Sequence, residues 1–162
     1  QSKENYLYRI RKKTSSLFEI ATWAGSVLAN MNKKDNEQLG QFGMNLGYAF
    51  QIFDDIRDFT DLNNKINNSG KNIGIDINNG ILTLPVILSL ENNFESNPFY
   101  NAIKSNEEIN VTDLGIYLIH EGFMEQASSI GNRYIEKAIN NLKHFQSNEI
   151  KNILLDIANS IK

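Results

Sequence analysis

Half of the eight aspartates in this 162-residue chain fall between Asp54 and Asp61. They stand in the run Phe50-Gln51-Ile52-Phe53-Asp54-Asp55-Ile56-Arg57-Asp58-Phe59. On a helix, Asp54 and Asp58 are four residues apart and project from the same side, with Asp55 about 100° around. Gln51 lies one turn earlier on that side. Asp is a mediocre helix former and adjacent carboxylates repel, so the cluster calls for a reason. Hard oxygen donors at one helix end suit Mg²⁺ or Mn²⁺; Mg²⁺ commonly takes one or two carboxylates and fills its shell with water and substrate phosphate. The plainer alternative is a solvated helix end partly neutralised by Arg57. Against it, Phe53, Ile56 and Phe59 flank the carboxylates and set the segment against a core. An EF-hand is excluded, because the glycine at the sixth loop position and the closing Glu are absent.

Two lysines extend the chemistry. Lys13-Thr14 lies midway along a helical stretch, beside Arg9, Arg11 and Lys12. Two antiparallel helices joined by a short break could bring Lys13 toward the aspartate end of the second; an ordinary basic surface is the alternative. Further on, Gly70-Lys71-Asn72-Ile73-Gly74-Ile75-Asp76 places glycines around a single lysine, which suits wrapping over phosphate. It is not a Walker A loop, since the first Gly and the preceding strand are missing. Carboxylates for metal, lysines for phosphate and a largely apolar bundle together suit a metal-held diphosphate with a hydrophobic tail.

The elements that must position these residues read as helices. Tyr6, Ile10, Leu17, Ile20, Ala24, Val27 and Leu28 recur at three- and four-residue steps, which predicts one helix from 3 to about 31 with that face buried. After the polar break 32–36, Asp35 is a reasonable N-cap for a second helix running to about Asp61. That helix is apolar nearly all round, the mark of a central helix, and Gly40, Gly43 and Gly47 line one stripe suited to close helix packing. The segment 62–79 reads as a loop dense in Asn, Gly and Ser. Thr83 as cap and Pro85 in the first turn open a third helix to about Leu90. Shorter amphipathic segments follow the Asn97–Pro98 break, near 98–104, 112–121, 123–145 and 148–161. No strand-like alternation, repeat or sustained heptad is present, so the fold class is all-α, a helical bundle.

Composition narrows the rest. The chain has no cysteine, which excludes thiolate zinc sites, thiol catalysis and a disulfide scaffold. A net charge of −3 argues against nucleic acid as partner. No apolar run approaches the roughly 20 residues of a transmembrane helix, and a cytoplasmic location is expected, with an organelle also open. The 24 asparagines and 21 isoleucines read as codon bias, since the Asn clusters fall where turns are expected.

At this point the residues resemble a known pattern. Phe50-Gln51-Ile52-Phe53-Asp54-Asp55-Ile56-Arg57-Asp58 resembles the second aspartate-rich motif, DDxxD, of the trans-isoprenyl (polyprenyl) diphosphate synthases. Lys13-Thr14, Gly70-Lys71-x-x-Gly74-x-Asp76 and Gly80-x-x-Thr83-Leu84-Pro85 resemble the accompanying motifs, in order and at similar spacing. The resemblance implies the isoprenoid synthase fold and an Mg²⁺-dependent prenyltransferase that joins an allylic prenyl diphosphate to isopentenyl diphosphate. It implies Asp54, Asp55 and Asp58 as metal ligands, directly or through water. Lys13 and Lys71 would contact the allylic diphosphate, with Thr14 and Gln51 lining the site and Phe50 shaping the pocket. Asp76 would bind metal through water or fix the Gly-Lys loop.

The departures are Ser69 before the Gly-Lys pair, Ile81 where many members have lysine, and the absence of any other Asp-Asp pair. The first DDxxD motif is therefore missing. Residues 1–162 are expected to be the C-terminal portion of a polyprenyl synthase domain, working as a homodimer or heterodimer. The alternative is a non-catalytic helical subunit or interaction module of a prenyl synthase complex. Among other residues, Trp23 is expected in the core, Tyr6 and Tyr8 in packing, and His120 and His144 in surface or structural roles, with Glu107-Glu108 opening a helix.

Overall fold

A computed structural model describes residues 2–60, 77, 79, 81–92, 97–105, 107 and 109–161. The described residues are mostly helical, with no strand among them. In chain order the helices are α1 (Lys3–Ile10), a π-helical turn (Arg11–Ser15), α2 (Ser16–Leu28) and α3 (Lys33–Thr60). Then come α4 (Leu84–Asn92), α5 (Tyr100–Ser105), α6 (Val111–His120), α7 (Phe123–Asn141) and α8 (Glu149–Ser160). Two compact units divide the chain: one holds Gln1–Tyr6 and Asp54–Ser128, the other Leu7–Phe53 and Ser129–Lys162.

In the second unit the α3 segment is central, as its all-round apolar pattern predicts. Phe42, Leu46, Ala49, Ile52 and Phe53 are buried. One flank is α2, running antiparallel. A Cβ on Gly47 would stand 2.6 Å from the Ser15 Cα, and one on Gly43 would collide with Thr22 Oγ1 and the Phe18 carbonyl, while Gly40 faces Trp23. The glycine stripe is therefore what lets the two backbones approach, and the Thr22 hydroxyl uses that approach to donate to the Leu39 carbonyl at 2.7 Å.

The other flank is α7, also antiparallel. The Phe53 ring presses on Gly131, where a Cβ would lie 2.7 Å from the ring. Tyr48 stacks on Tyr134 at 4.7 Å between centroids. An amide ladder follows, Asn45 Nδ2 donating to Asn141 Oδ1 (3.1 Å) and Asn141 Nδ2 to Gln38 Oε1 (3.0 Å). His144 meets Asp35 at 2.8 Å at the end of the ladder.

The first unit packs Leu84, Val86, Ile87, Leu114 and Leu118, all fully buried, with Phe123 and Phe59. The Asn97–Pro98 break is organised by the buried Asn97 side chain. Its Oδ1 accepts from the Phe99 N–H (2.9 Å) and its Nδ2 donates to Ser89 Oγ (3.1 Å). Asn110 opens α6, its side chain accepting from the Thr112 and Asp113 N–H groups.

Five expectations need correction. The stretch 3–31 is not one uniform helix: a π turn interrupts it, and it ends at Leu28, with Asn30 beyond it in the left-handed region at φ 55. The wider π turn changes the phase, since each residue advances an α-helix by about 100°. Hence Ser15 and Ser26 are buried on the inward face, while Leu17, Ile20, Trp23, Val27 and Leu28 lie exposed. Trp23, 48% exposed, is thus not core, and Tyr8 is mostly exposed. Asp35 is not the N-cap of α3; Asn32 Oδ1 accepts the Asp35 N–H (3.0 Å) and occupies that role. Glu107 precedes the helix instead of opening it, because the cap is Asn110. Thr83 does hold the N-cap position through its carbonyl, which accepts the Ile87 N–H, but its buried hydroxyl has no hydrogen-bond partner among the described residues.

Candidate functional site

Each unit holds one group of the residues singled out from sequence. In the second unit, Lys13 and Thr14 lie inside the π turn, where the Ser16 N–H reaches back to the Arg11 carbonyl. Single π turns inside α-helices are rare and occur frequently at functional positions. The Thr14 hydroxyl donates to Gln51 Oε1 at 2.6 Å, so the Lys-Thr pair is fastened to α3. Lys13 itself is exposed and Thr14 partly buried. Phe50 packs on Phe18 with centroids 5.3 Å apart and leaves part of its ring exposed.

In the first unit, the last two turns of α3 carry Asp54, Asp55 and Asp58. Asp54 is partly buried, Asp58 exposed and Asp55 buried at 7% exposure. Burial of Asp55 is compensated by Tyr6, whose hydroxyl donates to Asp55 Oδ2 at 2.7 Å. Tyr6 is wholly buried. Sequence reading placed Tyr6 in packing but missed this bond; a tyrosine on an apolar face carries no signal of where its hydroxyl goes. Arg57 is exposed on the same turns.

Lys71, Gly70, Gly74, Asp76, Gly80 and Asp61 lie outside the described residues. Of the neighbouring motif, Leu84 and Pro85 are fully buried in the first turn of α4, and Ile81 is exposed. Among the described residues, no three acidic or imidazole side chains gather as a closed metal cage. The carboxylate oxygens of Asp54, Asp55 and Asp58 are hard donors of the kind Mg²⁺ takes, and the Tyr6 hydroxyl bonds one of them.

The all-α bundle has the isoprenoid synthase fold, which solved structures similar to this chain share. A polyprenyl synthase from Caulobacter crescentus, solved with calcium and isoprenyl diphosphate, is similar with a TM-score of 0.85 and 28% identity, over 99% of this chain and 49% of its own. A decaprenyl diphosphate synthase from Rhodobacter capsulatus is similar with a TM-score of 0.83 and 25% identity, over 99% of this chain and 50% of its own. Residues 1–116 match the polyprenyl synthetase family model. The chain belongs to the polyprenyl synthetase family. In sequence it is 29% identical to heptaprenyl diphosphate synthase component 2 of Bacillus subtilis, over 99% of this chain and 45% of that protein. It is 37% identical over 86 residues to octaprenyl diphosphate synthase of Escherichia coli. The chain spans about half the length of the relatives that it matches from end to end.

Proposed function

We propose that this chain supplies the diphosphate-handling aspartates and lysine of a polyprenyl diphosphate synthase. The reaction joins an allylic prenyl diphosphate to isopentenyl diphosphate. The bond from the allylic C1 to oxygen breaks, diphosphate leaves, the isopentenyl double bond attacks C1, and a proton is lost to give the longer chain. Bound Mg²⁺ would neutralise the charge that develops on the departing diphosphate.

The residues divide that work. Asp54, Asp55 and Asp58 are the oxygen donors for Mg²⁺ or Mn²⁺. Lys13 and Lys71 contact the diphosphate, adding positive charge where the leaving group gathers negative charge. Thr14 and Gln51 hold the Lys13 turn against α3, and Phe50 shapes the apolar wall that keeps water from the cation. The observation that carries this reading is the end of α3, where carboxylates one helical turn apart stand beside a buried, hydrogen-bonded third. Family membership supports it.

A second reading has an observation of its own. Two relatives, 29% and 28% identical, are each named component 2 of a heptaprenyl diphosphate synthase, and a component implies a partner. Leu17, Ile20 and Leu28 on α2 also present apolar surface. The chain would then work in a heterodimer, or in a homodimer, where it acts as a helical subunit. No described helix is long and apolar enough to cross a membrane, and a cytoplasmic location accompanies both readings.

The test is Mg²⁺-dependent condensation by the protein that carries this chain, comparing Asp54→Ala and Lys13→Ala with wild type. Losses of at least about a hundredfold are expected from removing a charge that acts in the transition state. Unchanged turnover in both variants would sink the assignment. Calorimetry of a prenyl diphosphate with and without Mg²⁺ separates a binding chain from a purely structural subunit, which would show no metal-dependent heat.

A further inference from the structure

Tyr6 and Asp55 are 49 residues apart in sequence, both buried, and joined at 2.7 Å from phenol to carboxylate. A buried carboxylate is costly unless it is hydrogen-bonded. A hydroxyl donating to an ionised oxygen makes a bond roughly twice as strong as a neutral pair. Such a bond does more than satisfy one oxygen. It ties one Asp55 oxygen to a ring that is wholly buried, and so restrains that side chain in a motif where another carboxylate, Asp54, is the adjacent residue.

We propose that Tyr6 is a positioning residue for the aspartate motif, acting through Asp55 to fix the carboxylate that helps to hold the divalent ion. The inference rests on the reading of Asp54, Asp55 and Asp58 as metal ligands. Tyr6 does not touch substrate or metal in this role. The fully buried ring places the hydroxyl, and the hydroxyl orients the ligand. Partners that orient metal ligands in this way typically contribute about 10–100-fold in metal affinity or activity.

The experiment is titration of the wild-type protein with Mn²⁺ in the presence of inorganic diphosphate, followed by electron paramagnetic resonance of the free ion. It is repeated for Tyr6→Phe, Asp55→Asn, the double variant and Asp54→Ala. Tyr6→Phe keeps the ring and removes only the donor, and is expected to weaken Mn²⁺ binding about tenfold. Because Tyr6 acts through Asp55, adding Tyr6→Phe to Asp55→Asn is expected to weaken binding no further, a non-additivity that marks residues in contact. Leu114→Val, a buried change in α6, serves as the control for stability: it lowers the melting temperature and leaves Mn²⁺ affinity in place.

Wild-type affinity in Tyr6→Phe would overturn the proposal, and so would an equal loss in the wild-type and Asp55→Asn backgrounds. If wild type binds Mn²⁺ and Asp54→Ala does not, either of those results overturns the role of Tyr6 alone. A wild-type protein that binds no Mn²⁺ with diphosphate would overturn the metal-ligand reading and this inference together.

Discussion

The Thr14 hydroxyl reaches Gln51 Oε1 at 2.6 Å, which fastens the one π turn among the described residues to the middle of the longest described helix. Lys13 immediately precedes Thr14 in that turn, so its backbone is anchored although its side chain is exposed. Anchoring the backbone while leaving the ammonium in solvent suits a residue that must meet an anionic ligand without searching many conformations.

Thr14→Val removes the donor and keeps the shape. A part-buried hydrogen bond of this kind contributes about 1 kcal/mol, so the midpoint of urea unfolding is expected to fall by that equivalent with an unchanged slope. Diphosphate affinity is expected to fall with it, while Gln51→Leu, which removes the acceptor, gives at least as large a loss. If Thr14→Val changes neither, the bond does not hold the turn.

The glycine stripe of α3 yields predictions of opposite sign. Gly47→Ala would set a Cβ 2.6 Å from the Ser15 backbone, a contact no side-chain rotation relieves. Helix separation or distortion is expected to cost about 1–3 kcal/mol. Gly40→Ala would meet Trp23 at 3.6 Å, ordinary contact, and gains up to about 1 kcal/mol of helix propensity. Thermal or urea unfolding of the two variants reads the sign directly. Equal effects would mean that the close approach at Gly47 is not what the stripe provides.

A helix cap supplies a third prediction. Asn110 Oδ1 accepts from Thr112 and Asp113 backbone N–H groups at 3.0 and 3.3 Å, two of the donors that α6 cannot satisfy internally. Asn110→Ala is expected to destabilise by about 1 kcal/mol, whereas Asn110→Asp retains the acceptor and stays near wild type. Chemical denaturation of the three proteins distinguishes a cap from a simple surface residue.

These residues also show where sequence suffices and where it stops. The period of Phe42, Leu46, Ala49 and Ile52, the asparagine break at Asn97 and the proline of α4 were all legible, because each is a local signal with a local consequence. The face of α2 was not legible. Leu17, Ile20, Val27 and Leu28 keep the period of Tyr6 and Ile10, but the π turn between them has no sequence signature, and its extra width rotates everything beyond it. The inward positions are instead Ser15, Thr22 and Ser26, whose small size matters only against the glycines of α3. Of the candidate site, residue types and spacing announced Asp54, Asp55, Asp58 and Lys13-Thr14. The Tyr6–Asp55 bond was hidden, since a contact across 49 residues depends on how α1 is laid down and not on any spacing within it.

The stacked pair Tyr48 and Tyr134 predicts a pH dependence at the alkaline end. Burial raises both phenols above their ordinary value of 10.0; at Tyr48 Arg11 partly opposes the rise and Glu19 adds to it, and at Tyr134 the Tyr48 ring adds while Arg133 opposes. A raised value in the fold means that the neutral form is the one the fold favours. Below about pH 10 both folded and unfolded chains carry neutral phenols, so the packing contribution is fully present. As pH climbs past 10 the unfolded chain ionises first, and the contribution is lost progressively until the folded phenols ionise too. Unfolding free energy measured by denaturant titration from pH 8 to 12 is therefore expected to decline steeply in wild type. Tyr134→Phe keeps a ring to stack on Tyr48 and removes one titrating group, so its decline is expected to be shallower while stability near pH 8 changes little. A variant with the same alkaline slope as wild type would show that these two rings are not the groups whose burial governs it.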